Sequence, residues 1–164
     1  MVAQLSDSPD FFIVSAGHEH IEAIASLAEQ AGMGVLSDRG SSFVAVEGLT
    51  EGIAASRDDA RTPDGTAGRV LGFVRIVRSL GHDYVCPIVV APDAQGRGVG
   101  MALMDFAHRR FGTLRFVARG NAVPFYESLG CRETSWSDIA MDISSDCVDC
   151  PDKAGCAPQP MVWD

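Results

Sequence analysis

Lysine is almost absent from this chain. Of its thirteen basic residues twelve are arginine, and only Lys153 is lysine. Twenty-two acidic residues outweigh them and leave a formal net charge of −9. A protein that tracks nucleic-acid phosphates carries a basic patch, so that class is disfavoured. An acidic field favours cationic partners instead, amines among them. No stretch approaches the ~20 apolar residues of a membrane-spanning helix. The opening residues "MVAQLSDSPDFFIV" lack a basic start and a long apolar run, so no secretory signal is expected. Five cysteines, an odd number, are then expected as reduced thiols in a cytoplasmic protein. Repeats and low-complexity tracts are missing as well.

The chain's 164 residues suit one domain, and its composition, 46% hydrophobic and 21% charged, is ordinary for a globular one. "DFFIVSAG" predicts a first strand. Ile21, Ile24, Leu27 and Ala28 recur at helical spacing over residues 18–31, with Gly32 as a stop. "FVAVEG" predicts a strand. The polar, weakly periodic stretch 49–67 predicts a mobile insertion between strands. "RVLGFVRIVRS" and "GHDYVCPIVVA" predict two more strands, the second buried on both faces. A helix is expected at 98–112, a short strand at 113–120 and a second helix at 121–130, capped by Asn121. "RETSWSDIAMDIS" suggests a closing hairpin. The expected class is mixed α+β, with one central, mostly antiparallel sheet and one parallel crossover. Residues 1–143 would form the domain and 144–164 an acidic tail.

Directly after the apolar run "YVCPIVV" stands "APDAQGRGVG". A strand that turns through glycines into a helix N-terminus offers free N–H groups and a favourable dipole to an anion. A phosphate-binding loop of the Walker type needs Gly-Lys-Ser/Thr, but Met101 follows Gly100. A dinucleotide fingerprint needs a glycine where Met101 stands. A tight turn without a ligand is the plain competing reading.

"VAPDAQGRGVGMALM" resembles the Q/R-x-x-G-x-G/A loop of the GNAT superfamily of acyl-CoA N-acyltransferases, and "RGNAVPFYESLGCRE" resembles that family's second signature. The two come in the right order, ~25 residues apart. The resemblance covers roughly residues 43–143. It implies a GNAT-like fold with helices on both faces of the sheet. It implies that the pyrophosphate of acetyl-CoA lies on the amides of Gln95, Gly96, Arg97, Gly98, Val99 and Gly100. The backbone of Ile88, Val89 and Val90 would pair with the pantetheine arm, and Asn121 would touch the cosubstrate. Tyr126 would stand near the sulfur and protonate the leaving thiolate, which suits a neutral phenol of pKa ~10. Its competing reading is a core aromatic beside Phe125 and Leu129.

A base must deprotonate the attacking amine. His82 and Asp83, near the start of the strand before the loop, are the candidates, with Glu47 a further option. The tail carries Cys147-x2-Cys150-x5-Cys156, spaced like a metal knuckle but one ligand short. No metal is assigned, and metal, disulfide and free thiols stay open; Cys86 and Cys131 read as small core residues. The expected activity is N-acetyl transfer from acetyl-CoA to a small-molecule or peptide amine by direct attack. The alternative is a non-catalytic acyl-CoA sensor. Neither nucleic acid nor membrane is expected as a partner, and a homodimer is left open.

Overall fold

Eleven residues from Arg69 to Ser79 form the longest strand, and nearly all of its middle is buried. Val, Ile, Leu and Phe fill it because the sheet is covered on both faces, so alternation with polar residues is unnecessary. The computed structural model describes residues 11–48, 68–148 and 150–164. The predicted insertion at 49–67 lies outside them.

Seven strands make one sheet. They are β1 (Phe11–Ser15), β2 (Ser41–Glu47), β3 (Arg69–Ser79), β4 (His82–Val90), β5 (Leu114–Ala118), β6 (Arg132–Glu133) and β7 (Gln159–Trp163). Their order is β1-β2-β3-β4-β5-β7-β6. All neighbours are antiparallel except β4 and β5, which run parallel. The helices are α1 (Ile21–Gln30), α2 (Val99–Phe111), α3 (Val123–Ser128), α4 (Met141–Val148) and α5 (Lys153–Cys156). The class is the expected mixed α+β with a GNAT-like fold.

α2 buries Val99, Leu103, Met104 and Ala107, one face at helical spacing. It packs on the side of β3 that carries Gly72. A Cβ built there would meet the carbonyl oxygen of Val89 at 2.7 Å and Cγ1 of Val99 at 3.3 Å. The opposite face holds Val77 and Tyr84 in a second apolar cluster with Ile139, Ala140 and Ile143 of the α4 region. The Tyr84 hydroxyl accepts from the Ala140 N–H at 3.1 Å and so pins α4 to the sheet.

The C-terminal segment corrects two expectations. Residues 132–144 do not form a closing hairpin: β6 is two residues long, and α4 follows. Nor is the stretch from Ser144 a tail outside the fold. It ends in β7, which enters the sheet between β5 and β6 and buries Pro160, Met161 and Val162. The run "PMVW" carries that strand, and the acidic, Pro-containing residues before it masked the signal. Asn121 does not cap a helix either; it sits in a 3₁₀ turn, Gly120–Ala122, and Ala122 precedes α3.

The β4–β5 pairing is brief. Only Asp83 with Leu114 and Tyr84 with Arg115 are partnered, after which the strands separate. β4 also carries one more residue than β3 between the pairs Val74–Ile88 and Ile76–Val85, a bulge at Cys86–Pro87. A bulge bends its strand and raises its twist, and here it turns β4 away from β5. The buried Arg75 holds it. Its Nε donates to the Cys86 carbonyl at 2.6 Å, and its Nη1 to the carbonyls of Ser37 at 2.6 Å and Arg39 at 3.2 Å. Replacing Arg75 with leucine strands these acceptors, so urea denaturation should show a loss of about 3 kcal/mol. A change below about 0.5 kcal/mol would mean the carbonyls have other partners.

Candidate active site

Where β4 and β5 part, a gap opens whose walls are fixed by the phase of β4. The Ala91 N–H donates to Leu71 O at 2.8 Å, so Ala91 faces β3. Backbone polar groups of successive strand residues alternate sides. Val89 therefore faces β3 as well, and the N–H and C=O groups of Ile88 and Val90 face the gap. The Gln95 side-chain amide reaches the Val90 carbonyl at 3.5 Å, from that side. Of the three residues expected to pair with an extended ligand, two present their backbone and Val89 does not.

Two cavities meet at this gap, of about 360 Å³ and 320 Å³. Ile88, Val90, Gln95, Ala122 and Tyr126 line both. The first continues along the glycine loop, past Gly96, Val99 and Gly100 to Phe125. The second opens toward the end of α1, at Ala31 and Met33, and includes Phe116, Arg119 and Asn121. The expected residues Ile88, Val89, Val90, Gln95, Gly96, Val99, Gly100, Asn121 and Tyr126 thus line these two cavities, whereas Arg97 and Gly98 do not.

The loop is shaped by backbone conformation. Gly96 has φ +80° and Gly98 φ +81°, in the left-handed region, and neither has an atom within 4 Å of where a Cβ would stand. Gly98 precedes α2 directly, and no side chain caps that end. The first turn of α2 holds no acidic residue, whereas His108, Arg109 and Arg110 sit in its last turn. The positive end of the dipole is left uncompensated at the cavity, with orphan N–H groups beside it. This fits a phosphate-bearing ligand, and the edge of β4 fits an extended arm with alternating amides. Val99 contributes only backbone, since its side chain is core. Arg97 is held by Glu47, Nη2 to Oε1 at 2.9 Å. Glu47 therefore anchors the loop and lines neither cavity.

Tyr126 is buried, stacked at an angle on Phe116 with ring centroids 4.6 Å apart and edge-on to Phe125 at 5.1 Å. Burial above all, with the nearby Cys131 thiol adding to it and Arg119 opposing it, pushes its pKa up to about 12. The phenol stays protonated throughout the neutral range. Phe125, with no assigned role in the sequence, shapes the cavity beside Gly100, where a Cβ would lie 3.4 Å from its ring. Arg119 was given no role either, although it is the first residue of the second signature.

His82 and Asp83 are not part of this site. They lie at the β3–β4 hairpin end, roughly 17–20 Å down the strand from Ile88. Asp83 is engaged by Arg78 at 3.0 Å, and His82 is exposed. Neither lines either of these two cavities. Cys147, Cys150 and Cys156 are free thiols, and among the described residues no group of three or more ligating side chains could hold a metal ion. No described helix is long and apolar enough to cross a membrane.

The glycine loop yields a direct test, with coenzyme A as the probe. Gly98→Val places a β-branched side chain at positive φ, which costs about 1–2 kcal/mol and reshapes the cradle. Calorimetric titration should show affinity falling at least about tenfold in a mutant that still folds. Undiminished affinity would leave the loop as a turn without a ligand.

The comparisons with known proteins agree with this geometry. The family model described as the acetyltransferase (GNAT) domain matches residues 38–133, more than half of the chain. No curated protein sequence matches. Among solved structures, the ribosomal-protein-S18-alanine N-acetyltransferase from Escherichia coli superposes with a TM-score of 0.54 at 20% identity, covering 76% of this chain and 79% of its own. N-acetylglutamate synthase from Neisseria gonorrhoeae, complexed with coenzyme A and N-acetyl-glutamate, superposes with a TM-score of 0.62 at 16% identity. That match covers 93% of this chain but only 34% of the synthase. The IAA acetyltransferase from Bacillus cereus ATCC 14579 gives a TM-score of 0.58 at 17% identity, with 93% and 98% covered. At such identities these structures share the fold. The family model spans the bulged strand, the glycine loop and the second signature alike, and the chain belongs to the GNAT acetyltransferase family, whose work is acyl transfer.

Proposed function

We propose that the protein is an N-acetyltransferase that uses acetyl-CoA and a primary amine bound side by side. The observation that carries this reading is the opened β4–β5 gap, with an anion-binding helix end on one side and a second cavity on the other. Acetyl-CoA supplies an activated acyl group as a thioester. Amides at Gln95 to Gly100 hold its phosphates, and Ile88 and Val90 pair with its extended arm. An N–H of one of these two β4 residues also faces the acyl oxygen, where negative charge develops on attack.

Tyr126 donates a hydrogen bond to the departing sulfur. Its pKa of about 12 lies above the ~8.5 of an ordinary thiol, so complete proton transfer runs uphill by about 5 kcal/mol. The hydroxyl therefore stabilises the leaving group chiefly as a donor. Among the described residues the cavities are lined by no carboxylate and no imidazole. The amine's proton leaves through the open mouth to water, and the rate should rise with pH toward the acceptor's own pKa. On the alkaline side Tyr126 keeps its proton, so no loss should appear below about pH 11.

The same lack of a carboxylate in the described lining favours a second reading, an acyl-CoA sensor without turnover. Coenzyme A release from acetyl-CoA across an amine library separates the two. With an acceptor in hand, Tyr126→Phe keeps the ring and its packing, so stability and acetyl-CoA affinity should change little. The single-turnover rate should fall about 100-fold. An unchanged rate would remove the hydroxyl from the reaction and leave Tyr126 as a core aromatic.

A further inference from the structure

The cavity toward α1 differs in character from the one along the glycine loop. Its wall is polar and apolar in about equal parts, with Met33, Val85, Pro87, Phe116 and Val117 supplying apolar side chains, whereas the wall along the glycine loop is mainly apolar. Among the described residues that line it, Arg119 alone carries a charge. The Nη2 of Arg119 donates to the Ala31 carbonyl at 2.8 Å. Ala31 is the residue that ends α1, so the guanidinium bridges from β5 to the helix across the cavity mouth. That bond uses one of five N–H donors, and the rest have no partner among the described residues. Arg119 and Tyr126 line the same cavity. Asn121 and Gln95 add neutral amides to the same wall.

Arg119 is exposed and tethered at one N–H, and a guanidinium with free donors at a cavity wall that also carries neutral amides favours an oxyanion with two acceptor atoms. A polyammonium guest would meet repulsion there instead. At about 320 Å³ the space is at the small end of ligand pockets, which suits a compact acceptor. The chain as a whole carries −9, so long-range attraction does not draw an anion in and recognition must be local.

We propose that the acceptor is a small amine bearing a carboxylate, of amino-acid or short-peptide size, and that Arg119 reads the carboxylate. This rests on the transferase reading above. The cation holds the acid group near the α1 end of the cavity and leaves the amine directed toward the gap at Ile88 and Val90. Arg119 is a specificity residue and takes no part in bond making.

The test compares matched acceptors in an acetyl-CoA turnover assay: alanine and glycylglycine, their C-terminal amides, and spermidine as a polycation. An amide has the less basic amine, so proton state favours it, and a preference for the acid reads the carboxylate itself. The expected kcat/KM is at least tenfold higher for the acids, the difference residing in KM. In Arg119→Gln that ratio should collapse toward one, and Arg119→Lys should restore part of it. Coenzyme A titration confirms that each variant is folded. Turnover of the amides or of spermidine as good as that of the acids overturns the proposal and leaves the transferase standing. Turnover of no amine, with coenzyme A still bound, sinks the transferase reading. Titration of alanine into the coenzyme A complex then decides the recognition by itself: binding that Arg119→Gln abolishes supports it, and no binding contradicts it.

Discussion

The hold of Arg75 on the carbonyl of Cys86 conditions everything else in the site. One extra residue in β4 takes that carbonyl out of the ladder, and a buried carbonyl without a donor is costly. Arg75 supplies the donor from the neighbouring strand. The same guanidinium reaches Ser37 and Arg39, in the stretch that follows α1. A single buried cation thus fixes the bend of β4 and the segment leading from α1 into β2. No carboxylate neutralises it among the described residues; its charge is spread over carbonyl dipoles.

The bend has a chemical consequence. Neighbouring parallel strands normally pair the backbone groups that face each other along their shared length, but β4 and β5 do so at only two positions. Past that point the polar edge of β4 lies open between two cavities. One cavity lies at the N-terminal end of the α2 dipole and is lined by Gly96, whose φ is positive, and by Gly100. The other mixes apolar side chains with Asn121 and Arg119. The two cavities meet at Tyr126, which lines both, and in the proposed reaction the phosphate-bearing donor would occupy one and the acceptor the other.

Local signals carried much of this into the sequence. Gly96 and Gly98 of "QGRGVG" have positive φ and so favour glycine, which made the loop legible as residues. β3 and β4 were legible because burial on both faces demands unbroken apolar runs. The bulge was not, since Cys86–Pro87 interrupts the run by one residue and its partner Arg75 looks like an outward-facing charge. β7 was hidden because the residues between α4 and "PMVW" resemble a linker, and only tertiary pairing shows where they lead. His82 and Asp83 stand at the right end of a strand by motif, but the pairing of Asp83 with Arg78 shows that end to be the hairpin turn. Arg119 owes its place to a contact with Ala31, 88 residues away, which no local pattern encodes.

The central claim is that the edge of β4 facing the gap receives an extended ligand. Backbone amide hydrogen exchange, resolved at single residues, reads it directly. With saturating coenzyme A, exchange at Ile88 and Val90 should slow markedly, and Val89, already bonded within the sheet, should stay as it was. Equal protection of all three without ligand, or no slowing at Ile88 and Val90 with it, would contradict the account.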